Sequence, residues 1–245
     1  MRTIDEIAAE IRLHKNSSCR FEPCATCTNM VPGDGDPNAE ILFIGEAPGK
    51  NEDISGKPFV GQAGRLLDRL IQSIGLERED VFITNVVKAR PPGNRDPLPL
   101  EVEHCWPWLE EQIAAIDPAL IVLLGRHAMN RFLPARKISR DHGQARLLNG
   151  RVYFPVHHPA AALYTKSLEQ TLFDDFAKIP ALIKRVHAAT REELLARSTP
   201  HVGQLEIAGD AGPATAARAA SPVFGGDLAA EHQTPQPAPG QPGLF

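Results

Sequence analysis

Polar, glycine-rich segments directly follow three short apolar runs of the sequence, and their side chains carry most of its chemical capability. Gly45–Asp53 contains Glu46 and Glu52, which are candidates for positioning water or stabilising a cation. Asn85 lies near the end of the second run, and its amide both donates and accepts hydrogen bonds. His158 follows the last run and offers an imidazole donor. The sequence therefore predicts carboxylates, an amide and an imidazole in one pocket.

The apolar runs predict the strands that would position these residues. They are rich in Val, Ile, Leu and Phe without clean alternation, which is typical of strands buried on both faces of a parallel sheet. The runs are Ala39–Gly45, Val81–Val87, Ala119–Gly125 and Val152–His157. Helical patterns lie at Gln62–Gly75, Leu100–Ile116, Arg126–Leu133 and Leu168–Ala188. The predicted fold class is α/β, a three-layer αβα sandwich around a four-stranded parallel sheet, whose ligands bind beyond the carboxyl ends of its strands.

Each candidate residue also has a purely structural explanation. An Asn late in a strand often makes a local turn contact, and Glu52 with Asp53 suits the start of a helix. A lone His before Pro is often a structural residue. Residues 45–49 lack both the Gly-x-Gly-x-x-Gly and the phosphate-loop patterns, which argues against a nucleotide cofactor. Convergence of these residue types at three strand ends favours a functional site.

Composition divides the 245 residues into two parts. Residues 1–190 are predicted to form one catalytic domain, and 191–245 a disordered tail rich in Pro, Ala and Gly. No apolar stretch is long enough to span a membrane, and Met1–Lys15 reads as a charged helix rather than a secretory signal. We therefore expect a cytoplasmic protein that does not enter the membrane.

The formal net charge of -4 does not by itself indicate a nucleic-acid partner. Arg126–Arg151, however, contains seven basic residues and one acidic residue, Asp141. A local basic stripe on a nearly neutral protein can bind a phosphate backbone. A solvated helix face explains the same charges equally well.

Several segments together resemble the family 4, thermostable-type uracil-DNA glycosylases. They are GEAPGKNED (45–53), GKPFVGQAG (56–64), ITNVVKARPPGNRDPLP (83–99), CWPWLE (105–110), LLGRHA (123–128) and HHPAAA (157–162). The resemblance covers roughly residues 19 to 183. It implies a base-excision repair enzyme that binds uracil-containing DNA and hydrolyses the bond between uracil and its sugar. A broader mismatch or deaminated-base glycosylase, and a catalytically silent iron–sulfur DNA-binding module, are the alternatives.

The resemblance also implies roles for the pocket residues. Phe59 would stack on the extruded uracil, Asn85 would read its edge, and His158 would donate to its O2 as it leaves. The best-known members of the superfamily carry an Asp at the position of Ala47. We therefore expect Ala47 to bind the substrate but to supply no carboxylate for the water. Glu46 and Glu52 are then the nearest candidates for positioning water.

Four cysteines are the candidate metal ligands: Cys19, Cys24, Cys27 and Cys105. A cytoplasmic setting disfavours disulfides. The resemblance implies a [4Fe–4S] cluster on two cysteines near the N-terminus and two after the second strand, where Cys105 matches the last. Ala89 occupies the position of the third, but a further N-terminal cysteine keeps the total at four, enough for one cluster. Zinc on the same four residues, or no metal at all, are the alternatives.

The sequence ends in Gln241-Pro242-Gly243-Leu244-Phe245. This resembles the Gln-x-x-Leu-Phe peptide by which many bacterial replication and repair proteins bind the sliding clamp. A flexible linker would give the peptide reach, with Leu244 and Phe245 filling an apolar pocket and Gln241 making hydrogen bonds. The alternative is a chance match in a biased tail. The catalytic domain itself is expected to be a monomer.

Overall fold

The computed structural model describes residues 2–15, 21–189, 193 and 196. Within these residues lies one six-stranded sheet, in the order β1-β3-β2-β4-β6-β5. Its strands are β1 (Asp34–Gly35), β2 (Ile41–Gly45), β3 (Phe82–Asn85), β4 (Leu120–Leu124), β5 (Arg146–Leu148) and β6 (Arg151–Val156). The four central strands run parallel, as the sequence predicts. The antiparallel edge strands β1 and β5 go beyond the four-stranded prediction, because strands of two and three residues leave no apolar run to detect.

Helices flank the sheet on both faces. In the described ranges they are α1 (Ile4–His14), α2 (Glu22–Thr26), α3 (Lys50–Ser55), α4 (Gln62–Ser73), α5 (Pro99–Ile116), α6 (Gly125–Phe132), α7 (Ile138–Asp141), α8 (Pro159–Ala162), α9 (Lys166–Phe176) and α10 (Ile179–Ala188). The prediction of one helix over Leu168–Ala188 is wrong, because α9 ends at Phe176 and α10 begins at Ile179. Pro180 in the first turn of α10 has no backbone N–H to continue α9.

Side chains that alternate along the central strands pack into two separate hydrophobic cores, one on each face of the sheet. Leu42 and Ile44 of β2 pack on the side of α1 and α5, whereas Phe43 between them packs on the side of α4, α9 and α10. The rings of Phe43 and Phe176 stack with centroids 5.7 Å apart. Both faces of the sheet are therefore covered, which confirms the predicted three-layer α/β architecture.

Some predictions fall on residues that the structure does not describe. They concern Cys19 and the tail over 191–245, apart from residues 193 and 196, and include the terminal peptide with Gln241, Leu244 and Phe245. Among the described residues, no helix combines the length and apolar character needed to cross a membrane.

Candidate active site

A pocket of about 340 Å³ opens at the carboxyl ends of the parallel strands. Its lining includes all six residues predicted to act on a substrate: Glu46, Ala47, Glu52, Phe59, Asn85 and His158. The loop after β3 contributes a further wall through Pro91, Asn94, Arg95 and Asp96. The structure thus brings residues more than 100 positions apart to one cavity of a size suited to a small polar molecule.

Asn85 forms the floor of the pocket as the last residue of β3. Its side chain is buried, and its Oδ1 has no hydrogen-bond partner among the described residues. An unsatisfied buried carbonyl costs about 1–3 kcal/mol. Such an atom in the wall of a cavity indicates a ligand that brings its own N–H or O–H donor.

Gly45 of β2 makes room for this arrangement. It pairs directly with Asn85 across the sheet. A Cβ at position 45 would lie 2.6 Å from Phe59 Cζ and would overlap Asn85 Oδ1. The absence of a side chain at this position is therefore a requirement of the pocket.

The Gly45→Ala variant should consequently fold but lose access to the pocket. We expect kcat/KM for any pocket substrate to fall roughly 10- to 100-fold, the scale of an overpacking cost of about 1–3 kcal/mol. Steady-state kinetics beside a thermal unfolding curve would check this. Parental kcat/KM in a folded variant would contradict the assigned pocket.

Phe59 is held in a strained conformation at the pocket wall. Its φ of 51° lies in the left-handed region, which is unfavourable for an aromatic residue. Arg78 Nη1 donates to the carbonyl of Phe59 at 3.2 Å and to Asp68 Oδ1 at 2.9 Å. The backbone of Gly64 lies directly against Phe59, leaving no room for a Cβ. These contacts fix the ring in place before a ligand binds.

Glu52 orders the same loop from the other side. Its Oε1 accepts hydrogen bonds from the backbone N–H groups of Val60 at 2.9 Å and Gly61 at 3.0 Å. Its Oε2 lies toward Gly49, where a Cβ would come within 2.8 Å. Glu52 does sit in the first turn of α3, but a role in that helix start does not account for these contacts. One carboxylate oxygen therefore supports the loop of Phe59.

His158 caps the N-terminus of α8, and this contact defines its tautomer. Its Nδ1 accepts the backbone N–H of Ala160 at 3.1 Å, so the ring proton lies on Nε2. Burial, assisted by the proximity of His127 and opposed by Glu52, lowers the pKa of His158 to about 4. The ring faces Phe59 with centroids 5.7 Å apart. His158 is therefore a neutral imidazole with Nε2–H available as a donor.

Glu46 lies at the mouth of the pocket in a cluster of charged groups. Burial, assisted by the negative charge of Asp96 and opposed by Arg126, raises the pKa of Glu46 to about 7. His127 Nε2 lies 3.8 Å from Glu46 Oε1 and 3.3 Å from Asp96 Oδ2. Glu46 is thus a carboxylate that exchanges protons readily near neutral pH.

Lys88 is an important neighbour of the pocket that sequence reasoning misses. In the sequence it reads as one of several basic residues in the loop after the second strand, but it is fully buried behind the pocket. Its Nζ donates to Thr84 Oγ1 at 2.7 Å, Asn85 O at 2.8 Å and Gln112 Oε1 at 2.6 Å. Burial lowers the pKa of Lys88 to about 7. Its apolar neighbours Val86, Val87 and Ala89 are the signal that could have revealed its burial.

The basic stretch Arg126–Arg151 is partly neutralised within the fold. Arg136 and Arg146 lie 3.1 Å and 3.5 Å from the buried carboxylate of Asp141, and Arg140 lies 3.2 Å from it. These three arginines all pair with one buried carboxylate, which weakens their interpretation as a DNA-binding stripe. Arg126 is different, since it is exposed beside Asp96 at the pocket mouth.

The described cysteines lie together away from the pocket. Cys24, Cys27 and Cys105 are all buried. Cys24 of α2 and Cys105 of α5 line one small cavity together with Ala89. The backbone N–H of Lys88 lies 3.4 Å from Cys105 Sγ, which links this cavity to the strand that carries Asn85.

Comparison with known proteins identifies the family. Residues 32–179 match the model of the Uracil DNA glycosylase superfamily. The Type-4 uracil-DNA glycosylase of Saccharolobus solfataricus is 47% identical over 191 residues, covering 73% of this chain and 86% of that protein. That of Archaeoglobus fulgidus is 46% identical over 199 residues, covering 74% of this chain and 94% of that protein. The predicted resemblance is confirmed, and the chain belongs to the type-4 family of the uracil-DNA glycosylase superfamily.

Proposed function

We propose that the protein acts in base-excision repair and hydrolyses the bond between uracil and its sugar in DNA, leaving an abasic site. The observation that carries this proposal is the buried Oδ1 of Asn85, which has no partner in the described part of the chain. It lies in a pocket shared with the ring of Phe59 and a neutral His158. Relatives named Type-4 uracil-DNA glycosylase support the same conclusion.

The enzyme must first take the base out of the DNA stack. Extrusion costs a few kcal/mol because stacking and pairing are lost. The ring of Phe59 offers a replacement surface, and base–aromatic stacking returns about 1–3 kcal/mol. Arg78 and Glu52 hold the loop of Phe59 in advance, so the stacking surface needs no reordering.

Asn85 then distinguishes uracil from cytosine. Its Oδ1 accepts the N3–H of uracil while its Nδ2 donates to O4. Cytosine presents an acceptor at N3 and a donor at N4, so both contacts would be mismatched. Each buried group left unsatisfied costs about 1–3 kcal/mol, which makes the amide a strong filter.

His158 stabilises the departing base. As the C1′–N1 bond breaks, its electron pair moves to uracil, and negative charge builds up on O2. Nε2–H of the neutral ring donates to that oxygen, so the hydrogen bond strengthens as charge develops. An interaction that is stronger in the transition state than in the ground state raises the rate.

Water completes the reaction by adding to C1′ of the cationic sugar. Ala47 cannot orient this water, so we assign that role to Glu46, whose carboxylate accepts the proton released. The raised pKa of Glu46 makes it a competent proton acceptor near neutral pH. Glu52, which also lines the pocket, adds negative charge near the cation.

This role predicts a pH dependence set by Glu46. Its ionised form is required, and a pKa of about 7 means that this form is lost as the pH falls through 7. We expect the single-turnover rate to fall about fivefold between pH 7 and pH 6, as for a single required base. The Glu46→Gln variant should be slower and should lack this limb of the profile. If the rate of that variant still falls as the pH falls through 7, the ionisation that controls the rate belongs to a group other than Glu46.

Uracil release itself is the direct test of the proposed function. Single- and double-stranded oligonucleotides carrying one uracil should yield abasic product, detected by strand cleavage in alkali. Parallel duplexes with hypoxanthine, xanthine and mismatched thymine would reveal a broader glycosylase. Retention of DNA without abasic product would refute the proposal and favour a catalytically silent DNA-binding module.

The proposal extends to a [4Fe–4S] cluster, with zinc as the alternative. The three buried thiols Cys24, Cys27 and Cys105 are soft ligands that suit either group, and Cys19 is the fourth ligand expected from the sequence. The group would serve a structural purpose. It would tie α2 to α5 beneath the loop that follows β3.

We also propose that the terminal peptide docks the enzyme on a sliding clamp through Gln241, Leu244 and Phe245. A tethered enzyme gains local concentration at DNA without any new DNA contact. The last dozen or so residues, titrated against the clamp of the source organism, should bind. Deleting Leu244 and Phe245 should abolish that binding and leave uracil release from short oligonucleotides unchanged. An intact tail that shows no binding would refute the docking proposal.

A further inference from the structure

The small cavity lined by Cys24 and Cys105 is also lined by the imidazole of His104. Position 89, which also lines this cavity, has no thiolate. The family resemblance expects the third cysteine ligand at residue 89, and there the chain has the buried methyl group of Ala89. Ala89 lines the cavity together with Cys24, Cys105 and His104. His104 therefore adds a nitrogen donor to the lining of the cavity in which a metal group would bind.

The distances among these donors suit metal ligation. The potential ligand atoms of His104, Cys24 and His14 all lie within 4.8 Å of one another. His104 directly precedes Cys105 in α5, and both residues line the same cavity. Two imidazoles and a thiol at this separation suit a borderline or soft metal such as zinc or iron.

The ring of His104 is also held in position by its surroundings. Its Nε2 lies 2.9 Å from His14 Nε2, and its face packs on Phe21 with centroids 4.4 Å apart. Trp108 contacts both histidine rings and donates from its indole N–H to Glu10 at 2.9 Å. Histidine ligands are commonly oriented by a hydrogen bond at the second ring nitrogen, and His14 provides such a contact.

We propose that His104, in place of the Cys19 expected from the sequence, is the fourth ligand of the metal group bound by Cys24, Cys27 and Cys105, and that His14 positions its ring. The proposal rests on the metal group proposed above but is independent of uracil excision. A neutral imidazole in place of a thiolate leaves an iron–sulfur cluster less negative, which raises its reduction potential. With zinc, the same residues form a tetrahedral Cys₃His site.

Metal analysis of the full-length protein tests the ligand directly. Purified without oxygen, the parent should contain about four irons per chain with matching sulfide, or one zinc in the alternative case. His104→Ala should lower that content at least tenfold, and His14→Ala should weaken metal affinity about 10- to 100-fold. His187→Ala is the matched control, because His187 is an exposed histidine paired with Glu40.

Two restoring variants separate loss of a ligand from loss of the fold. His104→Cys should retain the metal, and an iron–sulfur cluster in it should have a lower reduction potential than the parent. Ala89→Cys added to His104→Ala should restore the metal by returning a thiolate to the family position. Failure of both variants to retain metal, although folded by circular dichroism, would overturn the proposal.

Spectroscopy and Cys19 provide the decisive comparison. In the reduced cluster, pulsed electron paramagnetic resonance should show a strongly coupled nitrogen that disappears in His104→Cys. For zinc, X-ray absorption should show three sulfurs and one nitrogen, with the nitrogen lost in the same variant. A protein that keeps its metal in His104→Ala but loses it in Cys19→Ser would overturn the proposal. Uracil release by the parent is measured separately, so failure of the ligand assignment is distinguishable from failure of the proposed function.

Discussion

Replacing His158 by alanine is expected to lower the single-turnover rate of uracil release about 100- to 1000-fold, the cost of removing one donor that meets developing charge. The structure gives the physical reason. Nδ1 of His158 is occupied by the backbone N–H of Ala160, which leaves Nε2–H as the donor. Binding of uracil-containing DNA should weaken far less, because the charge on uracil O2 develops only as the base departs.

His157 provides the matched control for this experiment. It adjoins His158 in sequence, but its ring packs against His142 at 4.5 Å, away from Phe59. Alternation along β6 and the chain after it explains why the two neighbours point apart. His157→Ala should therefore retain nearly the parental rate. If His158→Ala weakens binding as much as it slows release, His158 positions the base rather than assisting its departure.

The ionisation state of His158 sharpens the same prediction. Because burial holds its pKa at about 4, the ring is already neutral at pH 5 and above. The parental rate should therefore show no loss of a required proton near the ordinary histidine pKa. The pH profile should instead follow the carboxylate of Glu46, whose raised pKa gives a rate that increases through pH 7.

The central sheet could be predicted from the sequence because its strands are continuous apolar runs. Ile41–Gly45 and Leu120–Leu124 are buried along their whole length, so composition alone distinguishes them from loops. The edge strand Asp34–Gly35 has no such run, because it is held by pairing with β3 rather than by apolar burial. The break between α9 and α10 has a sequence signal in Pro180, but the helical pattern continues on both sides and hides it.

The pocket residues could be predicted because strand ends converge, whereas the residues that support them could not. Arg78 reaches the loop of Phe59 from 19 positions away, and nothing local marks this contact. Lys88 reads in the sequence as one of several basic residues of a loop, yet its Nζ donates a hydrogen bond to the backbone carbonyl of Asn85. His104 gives no ligand signal until folding brings α1 and α2 beside it. Long-range hydrogen bonds of this kind are set by the tertiary structure.

The amide of Asn85 should determine which base leaves, and Asn85→Asp is the variant that tests this most sharply. Where its carboxylate is ionised, at high pH, the variant cannot donate to uracil O4, and because the unsatisfied contact costs about 1–3 kcal/mol, uracil release there should fall roughly 10- to 100-fold. Asn85 is nearly fully buried, an environment that favours the neutral carboxyl. The protonated group offers an O–H donor to cytosine N3 and a C=O acceptor to cytosine N4.

Cytosine release should therefore appear in Asn85→Asp and should increase as the pH falls. Single-stranded oligonucleotides carrying either uracil or cytosine, assayed at low and high pH, would measure both activities without the energy of breaking a guanine pair. Asn85→Ala is the control, because it removes the uracil contacts without supplying new ones and should release neither base efficiently. Parental uracil release by both variants would show that the unpartnered oxygen of Asn85 is not the reader of the base.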